Sequence, residues 1–286
     1  MPLSALALVI IAAFTHASWN LLAKRAADSR HFVWLYSAGT VLLWAPVIGL
    51  LFWHDAPQLD WRDGLALLVS ALLHTAYSLA LQRGYKVADL SVVYPMARGT
   101  GPLIAFFGAI LVLGERPGWL AALGALLVVA GVFWLAGGPQ LLRPGTDKRG
   151  LLWGVLTGTF IAAYTVWDGY SVKVLLLSPF LVDYVGNLLR FMLLLPRALA
   201  DRAALWPEWL RYWKPALGVS VLGPLGYTLV LFAMQQAPVS HVAPARELSM
   251  MVGAWYGAKL LDEGELSRRL LAAAIIVAGV LCLALG

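Results

Sequence analysis

The two halves of this chain repeat each other at a fixed offset, and this duplication constrains the fold more than any other feature. Trp19 is matched by Trp167 and Arg98 by Arg246, both at an offset of 148 residues. Both halves are strongly apolar. If each half contains an odd number of membrane-spanning helices, the duplication places the halves upside down relative to one another. Carriers that work by alternating access are built in this way, so a transporter is the first hypothesis.

The composition predicts a membrane protein. Of 286 residues, 61% are hydrophobic and 13% are charged, and the mean hydropathy is +0.78, which lies outside the range of soluble globular domains. We predict an all-α polytopic membrane protein with ten transmembrane helices arranged as two inverted five-helix repeats. The predicted spans, each about 20 residues long, are 3–22, 32–53, 64–84, 90–113, 118–137, 150–172, 179–199, 213–235, 239–261 and 267–285.

A cluster of turn-forming and charged residues separates the two halves. Because glycines, prolines and charges lie between two apolar runs, we predict a linker loop at 138–149. The first repeat is then 1–137 with helices 1–5, and the second is 150–286 with helices 6–10. Between helices 7 and 8, aromatic and charged residues at 197–214 predict a short segment in the headgroup region.

The basic residues indicate topology and not a nucleic-acid partner. The net charge is +6, but Lys and Arg lie in short loops between apolar stretches and not in one patch. Fourteen of them fall in odd-numbered loops and three in even-numbered loops. The positive-inside rule therefore predicts cytoplasmic odd loops and periplasmic termini, in a multi-pass protein of the cell inner membrane.

Neither a cofactor nor a metal is predicted. The single cysteine, Cys282, excludes an intramolecular disulfide and a cysteine-rich metal site. His16 and His74 lack a third ligand at useful spacing for zinc.

Charged residues within the predicted spans are the main candidates for function. A charge in mid-membrane costs at least about 2.5 kcal/mol, so such a residue is expected to face a partner, a cavity or water. Arg98 and Arg246 could each bind a carboxylate or phosphate of a substrate. They could instead form internal ion pairs with Glu247 or Asp168, and the sequence leaves both possibilities open.

The same carboxylates are candidates for energy coupling. We predict possible proton coupling through Glu247 or Asp168, with a permanent salt bridge as the alternative. Two further carboxylates, Glu115 and Glu263, each follow the arginine of their repeat by 17 residues. We expect them to contact the N-terminus of the next helix or a loop arginine, in structure or gate closure.

Proline and glycine predict a break in the fourth helix of the first repeat. Pro95, Gly99, Gly101 and Pro102 surround Arg98, and such breaks are tolerated in membranes mainly where they line a cavity. In the second repeat, Pro244 offers only a milder counterpart, without the Gly-Thr-Gly-Pro sequence.

Other polar and aromatic residues within the spans are candidates for lining a cavity. His16 and Asn20 share one helix face, as do Tyr164 and Asp168. Interhelical hydrogen bonding without substrate contact is the competing interpretation for these pairs. Mid-span tyrosines are candidates to flank a ligand, although most such aromatics serve packing; they are Tyr36, Tyr77, Tyr94, Tyr184 and Tyr227.

The two repeats, the helix-1 string from His16 to Lys24 and the segment Leu113-Gly114-Glu115-Arg116 resemble the EamA-type branch of the drug/metabolite transporter superfamily. The resemblance implies a central cavity between helices 1–4 and 6–9, with helices 5 and 10 at the periphery as a packing or dimer surface. The residues predicted to contact substrate are His16, Trp19, Asn20, Tyr36, His74, Tyr77, Tyr94, Arg98, Tyr164, Asp168, Tyr184, Asn187, Tyr227, Arg246 and Glu247.

The sequence therefore predicts a secondary transporter of a small polar organic metabolite, amino-acid-like or otherwise anionic or zwitterionic, which works by alternating access. The alternative is an exporter of aromatic or drug-like compounds, favoured if the cavity is wide and both arginines pair internally. An intramembrane enzyme is a remote alternative, because no nucleophile–base pair, metal motif or phosphate loop is present. The direction of transport, the energy source and the choice between monomer and homodimer do not follow from the sequence.

Overall fold

The structure, a computed structural model, describes residues 1–26, 28–53, 57–88, 90–135, 137–138, 148–261 and 266–286, and no strand occurs among them. The helices are α1 Leu3–Lys24, α2 Phe32–Leu51, α3 Trp61–Val87, α4 Leu90–Leu113, α5 Trp119–Leu135, α6 Lys148–Lys173, α7 Pro179–Ala200, α8 Arg202–Gln236, α9 Val239–Ala245, α10 Leu248–Leu261 and α11 Leu266–Leu285.

Helix length and apolarity establish a multi-pass membrane protein. Seven helices within the described ranges are long and apolar enough to cross a membrane, and two shorter apolar helices accompany them, Trp119–Leu135 and Leu270–Leu285. The prediction of an all-helical membrane protein is confirmed for the described residues. The count of ten spans and the inverted arrangement stay predictions.

The broken helix lies in the second repeat, so the sequence-based prediction of its position was wrong. Helix α4 is continuous, whereas the predicted ninth span is divided into α9 and α10 by a turn at Arg246 and Glu247. In this turn the Glu247 amide donates to the Pro244 carbonyl at 3.0 Å, and the Ser249 amide donates to the Arg246 carbonyl at 3.1 Å. Both bonds span three residues, so the chain is wound more tightly here than in an α-helix.

One glycine of the predicted break in α4 serves close packing against α6. A Cβ at Gly101 would lie 2.9 Å from Ile161 Cγ2, and a Cβ at Gly158 would lie 3.0 Å from the carbonyl oxygen of Ala97. Small residues of this kind let the backbones of two membrane helices approach one another. A Cβ at Gly99 would have no atom within 4 Å, so Gly101 and not the whole glycine-rich stretch belongs to the helix-packing surface.

The segment at 197–214, which the sequence predicts to lie in the headgroup region, forms the end of α7 and the start of α8. Helix α8 is continuous over 35 residues, which corresponds to a length of about 52 Å and exceeds a hydrocarbon core of about 30 Å. The carboxylate of Glu208 accepts hydrogen bonds from the Ser29 hydroxyl and from the amides of Arg30 and His31, at 3.2 and 3.1 Å. This contact with the α1–α2 loop stabilises the extension as helix.

Helices of the first half pack mainly against helices of the second half. Helix α1 packs on α8, α2 on α7 and α8, α3 and α4 on α6, and α5 on α11. In the α5–α11 contact, a Cβ at Gly124 would lie only 2.6 Å from the carbonyl oxygen of Gly279. The small-residue faces of these two helices are thus used within one chain.

Candidate substrate cavity

A cavity of about 110 Å³ lies between α1, α2, α3, α6, α7 and α8, and Arg246 from the α9–α10 turn also lines it. Nine of the residues predicted to contact substrate line this cavity: His16, Trp19, Tyr36, His74, Tyr77, Tyr164, Asn187, Tyr227 and Arg246. The cavity therefore has aromatic walls and a few polar groups, as organic-ligand sites commonly do.

Arg246, in the turn between α9 and α10, is one of two arginines that line the cavity, together with Arg190. Its Nη1 donates to Thr165 Oγ1 at 3.3 Å, and its guanidinium carbon lies 5.7 Å from the centre of the Tyr227 ring. Within the described ranges, no carboxylate oxygen lies within 4.0 Å of this guanidinium. Arg246 is buried, so its charge is held by a hydroxyl and an aromatic face, with the cavity on its open side.

Arg98 is engaged in the internal ion pair that the sequence left as an alternative. Its Nε lies 2.9 Å from Glu247 Oε2, and its Nη2 donates to Ser249 Oγ at 2.8 Å. Both charged side chains are almost fully buried, and neither lines the cavity. The pair therefore connects the middle of α4 to the α9–α10 turn.

Asp168 reaches the cavity only through two aromatic partners. Its Oδ2 accepts a hydrogen bond from the Tyr227 hydroxyl and lies 2.9 Å from His74 Nε2. Its Oδ1 is buried and has no hydrogen-bond partner among the described residues. His74 stacks on Tyr164 with ring centres 4.0 Å apart and itself lines the cavity.

Comparison with known proteins identifies the family. The EamA-like transporter family matches residues 3–137 and 148–285. The chain belongs to this family. The resemblance inferred from the sequence is thereby confirmed, and the family is one of transporters and not of enzymes.

Two relatives extend the comparison. The chain is 30% identical over 99 residues to the aromatic amino acid exporter YddG of Salmonella typhimurium (strain 14028s / SGSC 2262), a match that covers 34% of this chain. The chain thus spans about a third (34%) of the length of this curated relative. The crystal structure of another protein superposes with a TM-score of 0.77 at 19% identity, covering 100% of this chain and 98% of that one, and it shares the fold.

In this member of the EamA-like transporter family, α7 supplies a polar stripe of which the sequence analysis identified only Asn187. Asp183, Asn187 and Arg190 all line the cavity. Asn187 Nδ2 donates to Asp183 Oδ2 at 3.1 Å, and Arg190 donates to Asn187 Oδ1 and, through Nε, to Ser37 Oγ at 3.1 Å. The signal was present, because positions i, i+4 and i+7 share one face of an otherwise apolar helix.

The remaining predicted site residues either do not line the cavity or lie outside the residues that the structure describes. Asn20 donates to the backbone carbonyl of His16 at 2.8 Å, and the Tyr184 hydroxyl donates to the backbone carbonyl of Val41 at 3.4 Å. The side chain of Tyr94 lies outside the described residues. Small and apolar cavity residues gave no sequence signal, because these types occur throughout the spans; they are Thr40, Ser78, Val182, Gly186, Val219, Gly223 and Pro224.

Glu115 contacts the second repeat and not the next helix in the chain, which corrects the expectation from the sequence. Its carboxylate accepts hydrogen bonds from the amides of Val239 and Ser240 at 2.7 and 2.9 Å, at the start of α9. Lys173 Nζ donates to Glu115 at 3.4 Å and to the carbonyl of Ala237 at 3.0 Å. We call these contacts the Glu115 latch. Glu263 lies outside the described residues.

The latch stabilises the ionised carboxylate. Burial raises the pKa of Glu115, but the hydrogen bonds from Ser240 and Val239 and the charge of Lys173 together outweigh it, so the pKa is lowered from its ordinary value. The latch therefore depends on a carboxylate that keeps its charge at neutral pH.

Proposed function

We propose that this protein is a secondary transporter that moves an amino-acid-like zwitterion or anion across the inner membrane through the central cavity. Residues 1–137 and 150–286, joined by the linker 138–149, act as inverted five-helix repeats that expose the cavity alternately to each side. Membership of a transporter family supports the activity, and the repeated match of that family at 3–137 and 148–285 supports the two-repeat organisation.

Arg246 is the observation that carries the choice of substrate class. It lines the cavity without a carboxylate partner among the described residues, whereas Arg98 is taken up by Glu247. A guanidinium in this position suits a substrate carboxylate, because it offers two parallel donors. Asp183 lines the same cavity, and its carboxylate can accept hydrogen bonds from the substrate amine.

The aromatic walls favour an amino acid with a large apolar side chain. Trp19, Tyr36, Tyr77 and Tyr227 line the cavity around Arg246 and Asp183. The aromatic amino acid exporter of Salmonella typhimurium supports both this side-chain class and the outward direction. Export of aromatic or drug-like compounds without a carboxylate is the second candidate function. Such compounds would contact the aromatic walls of the cavity but would not need Arg246.

A decarboxylated analogue separates the two candidates. Binding of tryptophan and of tryptamine to purified protein is measured by thermal stabilisation, and counterflow is measured in proteoliposomes. We expect tryptophan to bind more tightly, and Arg246→Gln to weaken tryptophan binding by about 10–100-fold, the value of a charge-assisted hydrogen bond, while tryptamine binding changes little. Arg211→Gln, an exposed arginine on α8, is the control for loss of charge. Equal binding of both compounds by the unmodified protein would favour the second candidate.

For energy coupling, we propose that His74 and Asp168 carry the transported proton. Glu247 is held by Arg98 and does not line the cavity, whereas His74 lies between the cavity and the fully buried Asp168. The titratable and charged groups beside this dyad are Tyr164, Tyr227, His16, Asp183 and Arg246. Because Asp168 is fully buried and the half-buried His74 shares a hydrogen bond with it, a proton gained by His74 from the cavity side changes the charge next to the substrate.

A pH gradient tests this role. Asp168→Asn should retain tryptophan counterflow but lose accumulation driven by a pH gradient, because Asn cannot exchange a proton. Glu247→Gln, where it folds, should remain coupled. Accumulation by Asp168→Asn in response to the gradient would show that the proton is carried elsewhere.

A further inference from the structure

A second pocket adjoins the central cavity between α2, α3 and α7. Its volume is about 30 Å³, and Arg190 and Ser78 line both the pocket and the central cavity. We call the pocket the vestibule. The basic residues that line it are Arg30, His31, Arg190 and Arg197, and Trp34 and Gln82 also line it.

The vestibule concentrates positive charge. Three arginines and one histidine line it, and no carboxylate does. In the described part of the chain, the guanidinium groups of Arg30 and Arg197 have no carboxylate oxygen within 4.0 Å. The His31 side chain lies 2.9 Å from Asp201, and the backbone amides of Arg30 and His31 donate to Glu208, which does not line the pocket. A pocket of one charge sign with apolar walls attracts ions of the opposite sign.

Arg190 is fixed by neutral groups. It donates to Ser37 and Asn187, and its guanidinium carbon lies 5.3 Å from the centre of the Tyr36 ring. These contacts orient the guanidinium, and the acidic residue that interacts with its charge is Asp183, which is bonded to the same Asn187 and lines the central cavity and not the vestibule. Since Arg190 belongs to both pockets, an anion bound in the vestibule lies beside the central cavity.

The Trp34 indole provides a neutral donor in the same pocket. Its N–H is buried and has no acceptor among the described residues, and its ring stacks on Phe191 with ring centres 5.4 Å apart. Buried N–H groups nearly always have an acceptor. An oxygen atom of a bound anion would supply one.

We propose that the vestibule is a second anion-binding subsite, which takes carboxylate or phosphate oxygens on Arg30, Arg190, Arg197 and the Trp34 N–H. The subsite receives the anionic group of a solute before it reaches Arg246. The transfer to Arg246 rests on the proposed function, whereas anion binding in the vestibule does not. A phospholipid headgroup carries the same chemistry and is the other source of the anion.

Anion titration of the full chain tests the subsite. The protein is placed in phosphatidylcholine nanodiscs and titrated with acetate and with inorganic phosphate, and binding is followed by thermal shift and calorimetry. In Arg30→Gln/Arg197→Gln the apparent Kd should rise about tenfold or more, the effect of losing one charge-assisted hydrogen bond. Arg211→Gln removes an exposed arginine from α8, which does not line the vestibule, and should leave the Kd unchanged.

Two results would overturn the subsite: the double variant binds both anions like the unmodified protein, or Arg211→Gln weakens binding as much as the double variant does. Arg246→Gln separates the two proposals, because it should weaken tryptophan binding and leave vestibule binding of phosphate unchanged. Loss of phosphate binding in the double variant, with no transport of any amino acid, would support the vestibule and contradict the proposed function.

Nanodiscs that contain phosphatidylglycerol identify the source of the anion. If a soluble anion occupies the vestibule, phosphate binds with the same Kd in both lipid mixtures. If a lipid headgroup occupies it, phosphatidylglycerol stabilises the unmodified protein but not the double variant, and it competes with phosphate. Either result retains the anion subsite and names its occupant.

Discussion

At the scale of single residues, the two equivalent arginines of the repeats have different environments. Arg98 is followed by Gly99, whereas Arg246 is followed by Glu247. Glu247 pairs across the molecule with Arg98 and leaves Arg246 beside Thr165 and the cavity. A single acidic residue in the second half thus gives the two arginines different surroundings.

The Arg98–Glu247 pair should be needed mainly for stability. Glu247→Gln removes the carboxylate that pairs with the buried Arg98 guanidinium, so we expect a loss of about 3–5 kcal/mol, measured by unfolding in detergent. The double variant Arg98→Met/Glu247→Leu should be more stable than either single variant, because neither charge of the pair is left buried without the other. If the single variant unfolds like the unmodified protein, the pair contributes nothing to stability.

At the scale of elements, the seven-residue helix α9 connects the Glu115 latch to the cavity. All seven of its residues are buried, its first two amides are held by Glu115, and it is followed directly by Arg246. A short helix packed on all sides moves as a unit. Opening the latch would therefore displace the arginine that we assign to substrate binding.

Protonation of Glu115 should weaken the latch. Its pKa is lowered by the fold, so its contribution to stability is fully present above the pKa of the unfolded chain, about 4.3. It is lost as the pH falls through the folded-state pKa. The melting temperature should therefore be lower below about pH 4.3 than at neutral pH, and this decrease should be smaller in Glu115→Gln.

Asp28→Asn is the matched control, because Asp28 is an exposed carboxylate in the α1–α2 loop. This variant should keep the acid sensitivity of the unmodified protein. Equal acid sensitivity in Glu115→Gln would show that other carboxylates account for the acid destabilisation.

At the scale of the whole molecule, the two halves are joined by direct packing. Helix α4 packs on α6 and α5 on α11, and in both contacts glycine allows close backbone approach. The α5–α11 contact uses the small-residue faces that the sequence offered as either a packing or a dimer surface. Rocking of the halves during transport would have to occur without separating these closest contacts.

Adding one methyl group tests the α5–α11 contact. A Cβ at Gly124 would lie 2.6 Å from the Gly279 carbonyl oxygen, so Gly124→Ala should destabilise the fold by roughly 1–3 kcal/mol in detergent unfolding. Gly49 in α2 has no atom within 4 Å of such a Cβ. Gly49→Ala should be neutral or stabilising by up to about 1 kcal/mol, because alanine favours helix. Similar effects at both positions would contradict the close approach.

Most of the helix positions and the family followed from the sequence. Bilayer thickness sets the length of an apolar span, so the helices could be located from runs of apolar residues. Charged residues within these runs were predicted to face a partner or a cavity inside the protein, because an isolated charge in hydrocarbon is costly. Arg98 and Arg246 are both buried in this way. Of the polar stripe of α7 only Asn187 was predicted, although the spacing of Asp183 and Arg190 places them on the same helix face.

The sequence by itself determined that this chain is a multi-pass helical membrane protein of a transporter family, because length, apolarity and short motifs are local properties. Tertiary structure decided which arginine pairs with Glu247, where the ninth span breaks, that Glu115 contacts α9, and that the small-residue faces meet within one chain. Each of these depends on which helices become neighbours. That choice is made by packing between the halves, over separations that local sequence patterns do not encode.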